Sequence, residues 1–275
     1  MSNEARHKIE NTAPESPEKI FRLLDRVRKG GPVNIRDDQY DYSTIMDAAR
    51  SYGRRMGLID SGRFSLLQME SIAKAGIAIY CSDEARADVE EIGLIRKACA
   101  KGGSFLAFFL NAGLTDKDRQ GKIPFPVLKE LAESGVYMHV SNRQQKQDGS
   151  RLVELSRSCR RGGSWLVYYH HGPLESFLAD LAASGAWIHL SDQSLAKDDD
   201  FLFFRQLAGR GKRLVLFVEK ILPASFLRDI YRAGVFLFFK TPPIEPGSPH
   251  EILEKKAGRK KLKVKAYYIS YAFLA

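Results

Sequence analysis

SIAKAGIAIY (residues 71–80), ELAESGVYMH (130–139), DLAASGAWIH (180–189) and DIYRAGVFLF (229–238) are four versions of one event. A helical apolar pattern is stopped by a glycine, at Gly76, Gly135, Gly185 and Gly234, and an extended apolar run follows at once. Glycine can take the left-handed backbone conformation that closes a helix, so each stretch predicts a helix end leading into a strand. A second series falls between the first: ACAKGGSFLAFF (98–109), SCRRGGSWLVYY (158–169) and AGRGKRLVLF (208–217), stopped at Gly103, Gly163 and Gly211. The two series keep step. Intervals are 59, 50 and 49 residues in the first and 60 and 48 in the second, so the long interval has one cause, the polar stretch Asn111 to Lys122.

This is an internal repeat of about fifty residues, strand-helix-strand-helix. Extended outward, the lattice adds PVNIRDD with the helix TIMDAARSYGRRMG in front, and VFLFFK, HEILEKKAGRKKL and KVKAYYISY behind, for about ten strands. Strands alternating with helices imply parallel strands joined by right-handed crossovers. The fold class is therefore α/β, tandem βαβα repeats with a mostly parallel sheet. A (βα)8 barrel and an open curved solenoid both fit. Units of 21 or 22 residues and about ten strands favour the solenoid. The organisation expected is a disordered tail over residues 1–17 and one repeat-built domain over 18–275, irregular at 241–249.

Composition narrows the class. Of 275 residues 44% are hydrophobic, which excludes wholesale disorder. Cys81, Cys99 and Cys159 lack disulfide or zinc-ligand spacing and read as buried thiols. With a polar N-terminus and only strand-sized apolar runs, no transmembrane segment is expected, and a cytoplasmic location is. Neither a cofactor nor a metal is expected. Formal net charge is +10, and Lys255, Lys256, Arg259, Lys260, Lys261, Lys263 and Lys265 against Glu251 and Glu254 place +5 of it in the last 25 residues.

Strand side chains alternate between two faces. One face of the strands after the first glycine series is aliphatic, as in Val136/Met138/Val140, and must be core. The other is aromatic with polar tips, as in Tyr137/His139/Ser141 and Trp187/His189/Ser191. Such rings suit recognition surfaces, so Tyr137, His139, Trp187 and His189 are candidate binding residues. His139 and His189 hold equivalent repeat positions, which points to ladder packing over a metal site. Helices ending in Arg160/Arg161, Arg210/Arg213 and Lys260/Lys261 would stack into a basic ridge, although the helix dipole alone favours cations there.

The strand ends carry Asp83, Asn142, His171, Asp192 and Glu219. Asp83, His171, Asp192 and Glu219 are the catalytic candidates if the sheet closes as a barrel, while Asp83, Asn142 and Asp192 at corresponding positions also suit turn capping. Adjacent His170 and His171 point to opposite faces, so only His171 joins the aromatic side. The glycine pairs follow helices and precede strands, the reverse of a phosphate-cradling loop.

The leading functional expectation is a non-enzymatic interaction or scaffold protein that binds a protein partner or self-associates through the ridge and the aromatic face. An acid/base or metal enzyme with its site at the strand ends is the first alternative. A protein binding a polyanion, nucleic acid or an anionic membrane surface, is the second.

Overall fold

The computed structural model describes residues 25, 33–111, 114, 123–210 and 213–239. Strand and helix alternate throughout: β1 (Val33–Arg36), α1 (Tyr42–Tyr52), β2 (Met56–Ile59), α2 (Leu66–Lys74), β3 (Ala78–Ser82), α3 (Val89–Gly102), β4 (Leu106–Leu110) and α4 (Phe125–Glu133). The second half continues with β5 (Tyr137–Ser141), α5 (Gly149–Arg161), β6 (Leu166–His170), α6 (Phe177–Ser184), β7 (Trp187–Ser191), α7 (Asp198–Arg210), β8 (Leu214–Val218), α8 (Ala224–Arg232) and β9 (Phe236–Phe239). All nine strands are parallel and form one sheet in sequence order, β1 to β9. The sheet is open: among the described residues β1 and β9 each pair on one side only. The tenth strand expected at KVKAYYISY, the tail 1–17 and the segment 241–249 lie outside the described residues.

Several helices begin or end on a local signal. Asp41, Asp88 and Asp148 accept backbone N–H bonds at the starts of α1, α3 and α5, and Ser65 with Gln68 forms a capping box on α2. The four glycines of the first series all have positive φ, from 91° at Gly185 to 102° at Gly234. A Cβ on Gly135 would meet Arg96 Nη2, the end of a side chain that can move aside, at 2.6 Å and the Gly162 carbonyl at 3.1 Å, so it is chiefly the φ of 99° that calls for glycine at this turn.

A right-handed crossover repeated in one direction lays every helix on the same face of the sheet. The main core lies between that face and the helices, joining Ile79, Cys81, Phe108, Met138, Val140, Tyr168, Ile188 and Leu216 to helix residues such as Ile95, Leu128, Leu155 and Leu181. The three cysteines are buried and free, and burial pushes the Cys99 thiol up to about 11 and the Cys159 thiol up to about 12. Neither supplies a thiolate nucleophile near neutral pH. Among the described residues no helix is long and apolar enough to cross a membrane.

Candidate functional site at the carboxyl rim

The face turned away from the helices carries a row of rings, one from each of six neighbouring strands. Phe109 packs on His139 (ring centroids 4.4 Å apart), His139 on Tyr169 (6.0 Å), Tyr169 on His189 (4.9 Å), His189 on Phe217 (5.8 Å) and Phe217 on Phe238 (5.4 Å). The row climbs as it crosses the sheet. His139 is paired in register with Val167, while its ring and hydroxyl contacts go to Tyr169, two residues further up β6. The same step recurs between His189, paired with Val215, and Phe217. His139 is 2% exposed and His189 1%, and burial pushes both imidazoles down to about 3. They are neutral rings inside a buried row. Tyr137 and Trp187 lie one step nearer the amino ends and are half-buried, in edge-on or tilted contact with Trp165 and Phe236.

Above this row the strands end in polar residues, and every second strand carries a side chain that ties it to the next. Asp37 at the end of β1 accepts from the Ser61 and Arg63 amides after β2. Asp83 after β3 accepts from Asn111 N (3.0 Å), and Asp192 after β7 accepts from Glu219 N and Lys220 N, both at 2.6 Å. Asn142 after β5 makes the pair of bonds a further strand residue would make: its Oδ1 accepts from His171 N (2.7 Å) and its Nδ2 donates to His171 O (2.9 Å). These four side chains occupy the same place in successive repeats and fix the spacing of the rim loops.

The bridges divide the catalytic candidates. Asp192 is fully buried and committed to two amides, and Asp83 is 8% exposed and committed to Asn111, three strands from His171. Both serve the frame. His170 does too: its Nε2 donates to Pro173 O (2.8 Å), which leaves Nδ1 to accept from Asn142 Nδ2 (3.4 Å), and its ring packs near Tyr168 and Phe177 on the helix side. His171, one residue past the end of β6, has its backbone clamped and is half-buried. Burial, then the Arg143 and His170 charges, hold it below the usual histidine range.

Glu219 ends β8, its amide held by Asp192 and its carboxylate accepting from Gln193 Nε2 at 3.3 Å. His171 and Glu219 stand two strand spacings apart, about 10 Å between backbones. One step past the His170–Leu190 register pair, Ser191 of β7 lies between them. The rim over β5 to β8 thus presents an imidazole, a carboxylate and the Ser141 and Ser191 side chains, all half-buried, above an aromatic floor. The Asn142 clamp and the climbing row went unread in the sequence, although the repeat-periodic Asp83, Asn142 and Asp192 signalled a shared role.

The ridge residues lie at the opposite end of the strands. Arg160 Nη1 donates to Ser184 O (3.3 Å) and Arg213 Nη1 to Gly185 O (3.0 Å), so each closes the end of a neighbouring helix. Arg213 also lies over the Trp165 ring, 5.7 Å from its centroid. Arg161 pairs with Glu133, and Arg210 is exposed at the end of α7. Lys260 and Lys261 lie outside the described residues. No group of three or more histidine, cysteine, aspartate or glutamate residues among the described residues is placed to hold a metal ion.

No protein-family model matches the chain, and no curated protein matches it. Among solved structures it is similar to KGPDC from Streptococcus mutans, at 12% identity and TM-score 0.34 over 74% of this chain and 97% of that one. It is also similar to a "putative fructose-1,6-biphosphate aldolase" from Coccidioides immitis, at 12% identity and TM-score 0.35 over 80% and 91%. The expectation of a non-enzymatic repeat scaffold finds no support in these neighbours, one of which is titled an aldolase. Likeness at this level brings neither an activity nor a substrate to this chain.

Proposed function

We propose that the chain is an enzyme that transfers a proton to or from a small molecule bound at the carboxyl rim of β5 to β8, with His171 as the base and Glu219 as its acid-base counterpart. One observation carries the reading: a half-buried imidazole with its backbone clamped on both sides by Asn142, across a short gap from a carboxylate whose own backbone is fixed by Asp192. Ligands of parallel α/β sheets bind outside the carboxyl ends of the strands, and catalytic groups are effective when their supporting atoms are locked in advance. Holding His171 below its usual range keeps the ring neutral near pH 7, the form a base needs.

The test is hydrogen exchange into a panel of carbonyl and hydroxy metabolites in deuterium oxide, read by NMR. The wild-type protein should label at least one compound at carbon, and His171→Asn should lower that rate by about 100-fold or more without loss of fold. Undiminished labelling in His171→Asn, or none in the wild type across the panel, would overturn the reading.

A further inference from the structure

His139 and His189 are the same residue of successive repeats, yet only one is satisfied. His139 Nδ1 meets the Tyr169 hydroxyl at 3.0 Å. Both ring nitrogens of His189 are buried without a hydrogen-bond partner. The register explains the difference. The residue that plays toward His189 the part Tyr169 plays toward His139 is Phe217, one strand on and two residues up, and it has no hydroxyl. A neutral imidazole has one donor and one acceptor, and leaving both empty in a dry interior is costly when a tyrosine in the next strand would fill one.

We infer that His189 is the floor of the rim site and that its free nitrogens hold the uncharged, planar end of the substrate, a ring or conjugated carbonyl group bearing a hydrogen-bond donor or acceptor. This rests on the rim reading and adds a substrate class to it. His189 lies on β7 two residues below Ser191, about 7 Å under the rim at the ordinary rise of a strand. Around it stand Tyr169, Val215 and Phe217, all fully buried and uncharged. A charged group would have no counterion at that depth, whereas a flat neutral one finds ring faces and one imidazole to address.

The experiment uses the full chain labelled with 15N-histidine, titrated with benzamide, a neutral ring carrying both a donor and an acceptor, and with benzoate as the charged control. Benzamide should shift the His189 ring nitrogens saturably and benzoate should not. Phe217→Tyr, which supplies the missing hydroxyl, should weaken benzamide binding by about 10-fold or more, the worth of one good hydrogen bond. His189→Phe should abolish it. Unmoved His189 signals, equal binding by Phe217→Tyr, or an ordered water bonded to both nitrogens with benzamide present would overturn the inference. Benzamide binding is read at the His189 ring nitrogens and proton transfer by deuterium uptake at carbon, so failure of this floor site is distinguishable from failure of the proton-transfer reading.

Discussion

A single hydroxyl separates the two central histidines. Tyr169 serves His139 and Phe217 leaves His189 unserved, and neither fact follows from the histidines themselves. Both rings are neutral because they are buried, and this sets how stability responds to acid. Their folded pKa values, about 3, lie below the ordinary 6.5. As pH falls below about 6.5 the unfolded chain binds protons that the folded chain refuses, so stability is complete above that pH and declines toward pH 3. Each histidine contributes a slope of about 1.4 kcal/mol per pH unit, about 2.7 for the pair. Urea unfolding between about pH 6 and pH 5, above most carboxylate titration, should show this decline with additions from His170 and His171, which are also held below the ordinary range, and His189→Phe should remove only its own share, about 1.4 kcal/mol per pH unit. A pH-independent stability across that range would mean that the histidines are not buried.

At the scale of elements, the recurring Asp37, Asp83, Asn142 and Asp192 convert four strand ends into two-strand units. The sequence revealed the periodicity of Asp83, Asn142 and Asp192 and suggested capping of their own turns. Instead they reach the neighbouring strand, a destination that depends on the lateral pairing of strands and not on local sequence. For the same reason the glycine series identified helix ends correctly, since a left-handed stop is a local property, whereas the seating of Arg96 beside Gly135 required the neighbouring unit. Asp192→Ala would strand the amides of Glu219 and Lys220 and open the β7–β8 rim. The expected loss is about 2–4 kcal/mol by denaturant unfolding, with slower turnover as Glu219 loses its fixed position. A loss below about 0.5 kcal/mol would assign Asp192 no such part.

Over the whole molecule, the alternation of strands and helices was legible because each unit repeats the same stop signals, and the structure resolves it as nine parallel strands in sequence order. The functional reading was less legible. Arg160, Arg161 and Arg213 recur with the repeat, and the structure engages them with Ser184, Glu133 and Gly185. His171 had no motif around it. Its prominence comes from Asn142, 29 residues earlier and one strand away. The central question for the molecule is whether that imidazole handles the transferred proton. The deciding measurement is the pH profile of deuterium exchange by the wild type and by His171→Asn between about pH 5 and pH 8. The wild type should lose rate on the acid side with an apparent pKa below 6.5, and His171→Asn should be about 100-fold slower or more with that acid limb gone. Equal rates with the same acid limb in both proteins would contradict it.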